Sequence, residues 1–206
     1  VPGLDFYYAA DPCYQEKAIE SLSQQQNGLN DKTTKQILLF HGTTWETKHW
    51  PELYWSRMAE KLATDGYSVL LPWGNETERQ RAIRIQQFGG ESNVRVLEKM
   101  DLNGMVNTLL GVSAVVAVDT GLAHLSAALD KPTIALYGST NPGLTGTYGK
   151  NQLHLQVNYE CAPCLKKRCE KPSITDPLNH TAVIKPACYI TLSPEKVYQK
   201  LIALLQ

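Results

Sequence analysis

The chain is predicted to fold as an α/β domain, a doubly wound parallel sheet of the Rossmann-like kind, and three observations predict it. Short apolar runs alternate with stretches of helical periodicity along most of the sequence. The runs are continuous rather than alternating, as strands covered on both faces are. Helix punctuation brackets the stretches between them, with Pro, Ser or Asp at the start and Gly at the end.

The elements follow in order. Ile37 to Phe40 is the first buried strand. Pro51 sits where a first helical turn tolerates proline, Trp55, Met58, Ala59 and Leu62 follow at helical spacing, and Gly66 is the stop. Tyr67 to Leu71 is the next strand, ended by Pro72, and Glu76 to Phe88 is a charged surface helix closed by Gly89 and Gly90. Val94 to Leu97 is a short strand, and Asp101 caps a helix through Leu110. Ala114 to Val118 is a strand, Leu122 to Leu129 a helix and Thr133 to Leu136 a strand. After a long loop, Ser193 and Pro194 open a last helix with Val197, Leu201, Leu204 and Leu205 on one face.

Two regions break the alternation. Residues 1–35, aromatic at first and then polar, read as an interdomain linker or the remnant of a preceding domain, which leaves 36–206 as the nucleotide-binding unit. Residues 158–190 carry four of the five cysteines and read as an irregular excursion. The chain starts at Val1 without an initiator methionine or a signal segment, and is expected to be a piece of a longer protein. At 206 residues it is long enough for one well-buried α/β domain. Its 20 basic residues match its 20 acidic ones, so no net field draws it to nucleic acid. No apolar run approaches the roughly 20 residues of a membrane span.

In an open parallel sheet ligands bind beyond the carboxyl ends of the strands, so the loops there are the ones to inspect. The first, His41 to Glu52, holds Thr43, Thr44 and Lys48 just ahead of a helix. Hydroxyls, a cation and free helix N–H groups make a phosphate site; the plainer reading is a polar turn with a solvated lysine. In the fourth, Asp119, Thr120 and Gly121 run from a buried strand into a helix that carries His124. Glycine lets a ligand approach the helix amides. Asp119 either accepts bonds from sugar hydroxyls or caps the helix, and His124 by position alone is a packing residue. The second, Leu71 to Glu78, carries the carboxylates Glu76 and Glu78 near a turn, and one of them either grips a ribose or complements a helix N-terminus. No G-x-G-x-x-G or G-x-x-x-x-G-K-[ST] motif follows a strand, which argues against a nicotinamide dehydrogenase and a simple ATPase.

Several separated blocks then carry a resemblance. Lys48-His49-Trp50-Pro51-Glu52, Leu71-Pro72-Trp73-Gly74, Val118 to Leu125, Tyr137 to Leu144 and Tyr148 to Gln152 together resemble the ADP-heptose:lipopolysaccharide heptosyltransferases, and within them the heptosyltransferase I branch. The resemblance runs from about Phe40 to Gln152, and more loosely through the last helix. It implies the C-terminal, donor-binding half of a GT-B glycosyltransferase, with the acceptor and an aspartate base on an N-terminal domain. It further implies that Thr43, Thr44 and Lys48 contact a diphosphate, Glu78 the ribose, Met100 the adenine and Asp119 the heptose. Thr120, Gly121 and His124 would then lie near the phosphates. For Met100 the residue alone suggests only packing.

The implied reaction is inverting transfer of heptose from ADP-heptose to Kdo-lipid A. It would take place in the cytoplasm, in peripheral contact with the inner membrane and without a cofactor. The absence of an Asp-x-Asp pair agrees with a metal-free donor site. Cys161, Cys164, Cys169 and Cys188 start with a C-x-x-C that suits zinc, but their later spacing is irregular, and free thiols are the favoured reading. Another GT-B enzyme (a second-heptose transferase or a sugar-nucleotide epimerase) and a non-catalytic nucleotide-binding module are the competing classes.

Overall fold

The computed structural model describes residues 35–90, 92–177 and 179–206. The expectation for residues 1–35 therefore lies almost wholly outside the described residues.

Among the described residues the helices and strands follow in the order β1 (Gln36–Phe40), α1 (Glu52–Thr64), β2 (Ser68–Leu71), α2 (Glu76–Gly89), β3 (Val94–Val96), α3 (Leu102–Gly111), β4 (Ala114–Val118), α4 (Gly121–Ala128), β5 (Thr133–Tyr137), α5 (Pro142–Thr145), β6 (Gln152–Gln156), β7 (Ile174–Asp176), β8 (Asn179–Ile184) and α6 (Pro194–Leu204). Six of the strands form one parallel sheet in the order β3-β2-β1-β4-β5-β6, the doubly wound arrangement.

Side chains alternate across β1, and this sorts the core into two layers. Ile37 and Leu39 pack with Trp55, Met58 and Leu62 of α1, Ile85 of α2 and Val197 and Leu201 of α6. Leu38 and Phe40 face the other way, onto Met105 and Leu109 of α3 and Leu125 of α4. Trp55, Met58 and Leu62 are fully buried, and burying each such side chain contributes about 1.5–3 kcal/mol. Leaving β1 the chain turns to one face of the sheet, and leaving β4 it turns to the other. The crevice where strand order reverses therefore opens between the ends of β1 and β4, the usual ligand site of such sheets.

Asp101 and Ser193 cap their helices as expected, accepting the backbone N–H of Gly104 and Lys196, and Asn75, which the sequence reading did not single out, accepts that of Glu78. Gly66, at φ +85°, closes α1: its N–H reaches the Ala63 carbonyl while Tyr67 N–H reaches that of Leu62. Lys131 Nζ donates to the carbonyls of Leu110 and Val112, at 2.7 and 3.3 Å, at the C-terminal end of α3.

The structure corrects the reading of residues 138–192. β6 was not expected, because Gln152-Leu153-His154-Leu155-Gln156 alternates polar and apolar, and as an edge strand it buries only Leu155. The cysteine-rich excursion is not wholly irregular either. It holds the antiparallel pair β7–β8 and most of a 3-10 turn at Ala187–Thr191, and it delivers Ile184 and Tyr189 to the main core, with Leu192 just beyond it. Arg57 of α1 anchors it by an ion pair of 2.6 Å to the fully buried Asp176. Such long-range anchors leave no periodic trace in sequence.

Candidate functional site

One cleft, with a volume of about 600 Å³, lies at the carboxyl edge of the sheet, and all nine nominated residues line it. Thr43, Thr44 and Lys48 come from the loop after β1, Glu78 from α2, and Met100 from the segment after β3. Asp119, Thr120, Gly121 and His124 come from the end of β4 and the start of α4.

At the β1–β4 end the side chains are held by one another. Lys48 Nζ stands 2.8 Å from Asp119 Oδ2, and the same oxygen accepts the Thr140 hydroxyl at 2.6 Å. The Thr43 hydroxyl donates to the Asp119 carbonyl at 3.3 Å. Lys48 also lies over the Trp45 ring, 4.7 Å from its centroid, and Lys167 approaches that ring at 5.5 Å. This replaces the solvated-lysine reading, since Lys48 is only 17% exposed and paired with a carboxylate. It also replaces the cap reading of Asp119: the N-cap of α4 is Thr120, whose own side chain makes no capping bond. The first amides of α4 are therefore left to face the cleft. A Cβ built at Gly121 meets nothing within 4 Å, and its φ is not in the left-handed region. Neither backbone nor packing requires a glycine there; what its bare edge leaves clear is the approach to the helix amides. His124 is exposed on the cleft wall, contrary to the packing reading.

At the β2–β3 end the contacts are local. Asn75 caps α2 by accepting Glu78 N–H at 3.0 Å, and Glu78 Oε2 in turn accepts Gly74 N–H at 2.8 Å. Glu78 thus complements the helix start and lines the cleft at once, so the two readings are compatible. Gly42 accommodates it: a Cβ there would stand 2.7 Å from both Cδ and Oε1 of Glu78. Met100, half-buried, packs against the α3 layer and takes a long contact of 3.5 Å from the Thr108 hydroxyl to Sδ, with its side chain on the cleft.

Three residues were missed. Thr140 fixes the Asp119 carboxylate, and its only sequence signal was its place in the Ser139-Thr140-Asn141-Pro142 run after β5. Gly42 had a signal, a glycine directly beyond a buried strand. His41 is buried at the base of the cleft, its ring nitrogens without a hydrogen-bond partner among the described residues. Burial first, then the Arg81 and His49 charges, push its pKa down to about 3 against a weaker opposing pull from the Pro72 backbone, so it is a neutral imidazole. Arg81 behind it donates to the His41 carbonyl at 3.2 Å and contacts His49 Nδ1 at 2.6 Å.

The excursion backs the cleft. The Thr47 hydroxyl donates to the Lys166 carbonyl and lies 3.0 Å from the Ser139 hydroxyl, while Tyr189 OH donates to the Lys48 carbonyl at 2.9 Å. Cys161, Cys164, Cys169 and Cys188 are free thiols around a neighbouring cavity of about 20 Å³. Burial, and then the charges of the other three, push the Cys188 thiol up to about 12. Among the described residues no three His, Cys, Asp or Glu side chains form a metal-ligating group. Nor is any described helix long and apolar enough to cross a membrane.

With this geometry in place, comparison with known proteins is direct. Residues 4–175 match the family model of glycosyltransferase family 9 (heptosyltransferase). The match begins inside the segment expected to be a linker and ends well beyond Gln152. The chain is similar to lipopolysaccharide heptosyltransferase 1 of Pseudomonas aeruginosa, at 47% identity over 186 residues, 89% of this chain and 52% of that protein. Among solved structures it is similar to the E. coli heptosyltransferase WaaC with ADP, at 34% identity and TM-score 0.67, covering 91% of this chain and 48% of that one. It is similar also to the same enzyme with ADP-2-deoxy-2-fluoro heptose, at 34% identity and TM-score 0.62, covering 86% and 45%. The chain therefore spans about half the length of the relatives it matches.

Proposed function

The chain belongs to glycosyltransferase family 9, the heptosyltransferases, and on that premise we propose that its cleft is the donor site for ADP-heptose in transfer to the lipopolysaccharide inner core. The observation that supports this most is the convergence of the nine nominated residues, drawn from four separate stretches of the chain, on one cleft. The solved relatives carry ADP and an ADP-heptose analogue, which supports an adenine nucleotide as the donor's carrier.

In this reading the diphosphate lies on Thr43, Thr44, Lys48, Thr120 and Gly121, at the start of α4. Glu78 takes the ribose hydroxyls, Met100 lies on the adenine, and the free oxygen of Asp119 takes heptose hydroxyls. Transfer is inverting. A base on an N-terminal domain removes a proton from a Kdo hydroxyl of Kdo-lipid A, and the resulting oxygen attacks the anomeric carbon. The bond from that carbon to the β-phosphate oxygen breaks, and ADP leaves with the electron pair. Lys48 and the α4 amides stabilise the departing charge, the role that electrostatic preorganisation plays in such reactions. The work is done on the cytoplasmic face of the inner membrane, and no resident cofactor takes part.

The test is turnover of ADP-heptose on Kdo-lipid A by the full-length enzyme, followed by mass spectrometry of the product. A lipid heavier by one heptose is expected. Transfer only to an acceptor already carrying heptose would move the protein to the second-heptose step. Consumption of a UDP-sugar without transfer would make it an epimerase.

A further inference from the structure

The Lys48–Asp119 pair poses a question that donor binding alone does not answer. Lys48 is the one nominated cation of the cleft, yet the protein directs its own carboxylate at it, at 2.8 Å. That carboxylate does not hang loosely. Asp119 is 5% exposed, its Oδ2 is held by the buried Thr140 hydroxyl at 2.6 Å, and its backbone carbonyl is tied to Thr43. An asparagine would offer a sugar hydroxyl a carbonyl oxygen equally well and would place no negative charge beside a diphosphate. The charge needs a reason.

We propose that Asp119, held in place by Thr140, competes with the nucleoside diphosphate for Lys48 and thereby weakens the protein's grip on spent ADP. The inference rests on the placement of the diphosphate at Lys48 given above. The physical argument is a change of charge. In a sugar nucleotide each phosphate is substituted on two of its oxygens and carries about one negative charge. Once the sugar leaves, the terminal phosphate gains a second ionisable oxygen, with a pKa of about 6 like that of a phosphate monoester, so near pH 7 it gains close to one further charge. Its repulsion from a fixed carboxylate sharing the same ammonium rises accordingly. While the sugar is bound, its hydroxyls occupy the free Asp119 oxygen. After transfer Asp119 and Lys48 re-pair, and ADP is the group displaced. Thr140 acts as a positioning residue, because a carboxylate free to swing into solvent would lose its hold on Lys48.

The experiment is calorimetric titration of ADP and AMP into the wild-type chain, Asp119→Asn, Asp119→Ala, Lys48→Ala and the Lys48→Ala/Asp119→Asn double variant. Both Asp119 variants should bind ADP about three- to tenfold more tightly than wild type, a gain of roughly 0.7–1.4 kcal/mol. Agreement between them removes any new bond made by the asparagine amide as the cause. AMP affinity should change less than about twofold, since AMP lacks the second phosphate, the one set against Lys48 in this proposal. In the Lys48→Ala background the gain from Asp119→Asn should shrink below about twofold. Unchanged or weaker ADP binding in both Asp119 variants overturns the proposal, and so does an equal gain without Lys48, which would mean plain repulsion. If Lys48→Ala alone leaves ADP affinity intact, the placement of the diphosphate falls, and the competition with it.

Discussion

The two ends of the cleft are built by different means. At the β2–β3 end Glu78 is set by its own helix start: Asn75 caps it, Gly74 steadies the carboxylate, and Gly42 leaves it room. At the β1–β4 end Lys48 is set by parts of the chain distant in sequence. Asp119 and Thr140 hold its ammonium, Tyr189 its carbonyl, and the excursion grips the neighbouring Thr47 through Lys166. The nucleoside end is therefore local and self-sufficient, and the phosphate end depends on the fold as a whole. The two should respond differently to substitution, and nucleotides with one or two phosphates can tell them apart.

The largest expected effect is at Lys48. A charge-assisted contact contributes about 1.5–3 kcal/mol, so Lys48→Ala should weaken ADP roughly ten- to a hundredfold at 1.4 kcal/mol per decade. AMP should lose little. Equal losses for both ligands in a titration would place Lys48 away from the second phosphate and erase the distinction between the ends.

Gly42→Ala is the matching test of the nucleoside end. Its Cβ would fall 2.7 Å from the Glu78 carboxyl carbon, closer than Cβ atoms stand, so the carboxylate must turn aside. ADP and AMP should then weaken together, by about tenfold, as one charge-assisted bond is lost. A loss confined to ADP would contradict the assignment of Glu78.

The smallest effect is expected at Thr47, which touches no ligand in this account. Thr47→Val removes the tie to the Lys166 carbonyl, and melting should show a loss of about 1 kcal/mol. ADP affinity should fall about threefold while AMP stays constant, because only the lysine loop is loosened. If neither ligand responds, the excursion is not a brace of the phosphate end.

The same division explains what could be read in advance. β1 and β4, with Ile37 to Phe40 and Ala114 to Val118, are continuous apolar runs and announce themselves, as do the caps Asp101 and Ser193. The loops of the cleft were legible because a doubly wound sheet has one productive edge, whereas Met100 and the choice of Glu78 rested on the family resemblance. β6 and the β7–β8 pair were not legible: an edge strand needs only one apolar face, and the hairpin is held by Arg57 from 119 residues away. For the same reason Thr140 escaped notice although its bond to Asp119 spans only 21 residues. Nothing in its neighbours marks it as more than a turn residue. Plain readings of single residues also misled, as with Lys48 as a solvated turn lysine, because a partner contributed by another loop is invisible to a local window.

If the cleft is a site for adenosine diphosphate, it should rank nucleotides by their base. ADP, UDP and GDP should be titrated in turn into the wild-type chain under one set of conditions. With Met100 against a purine and Glu78 on the ribose, ADP should bind best, ahead of UDP by about tenfold or more, or roughly 1.4 kcal/mol. UDP binding as tightly as ADP, or more tightly, would contradict the account.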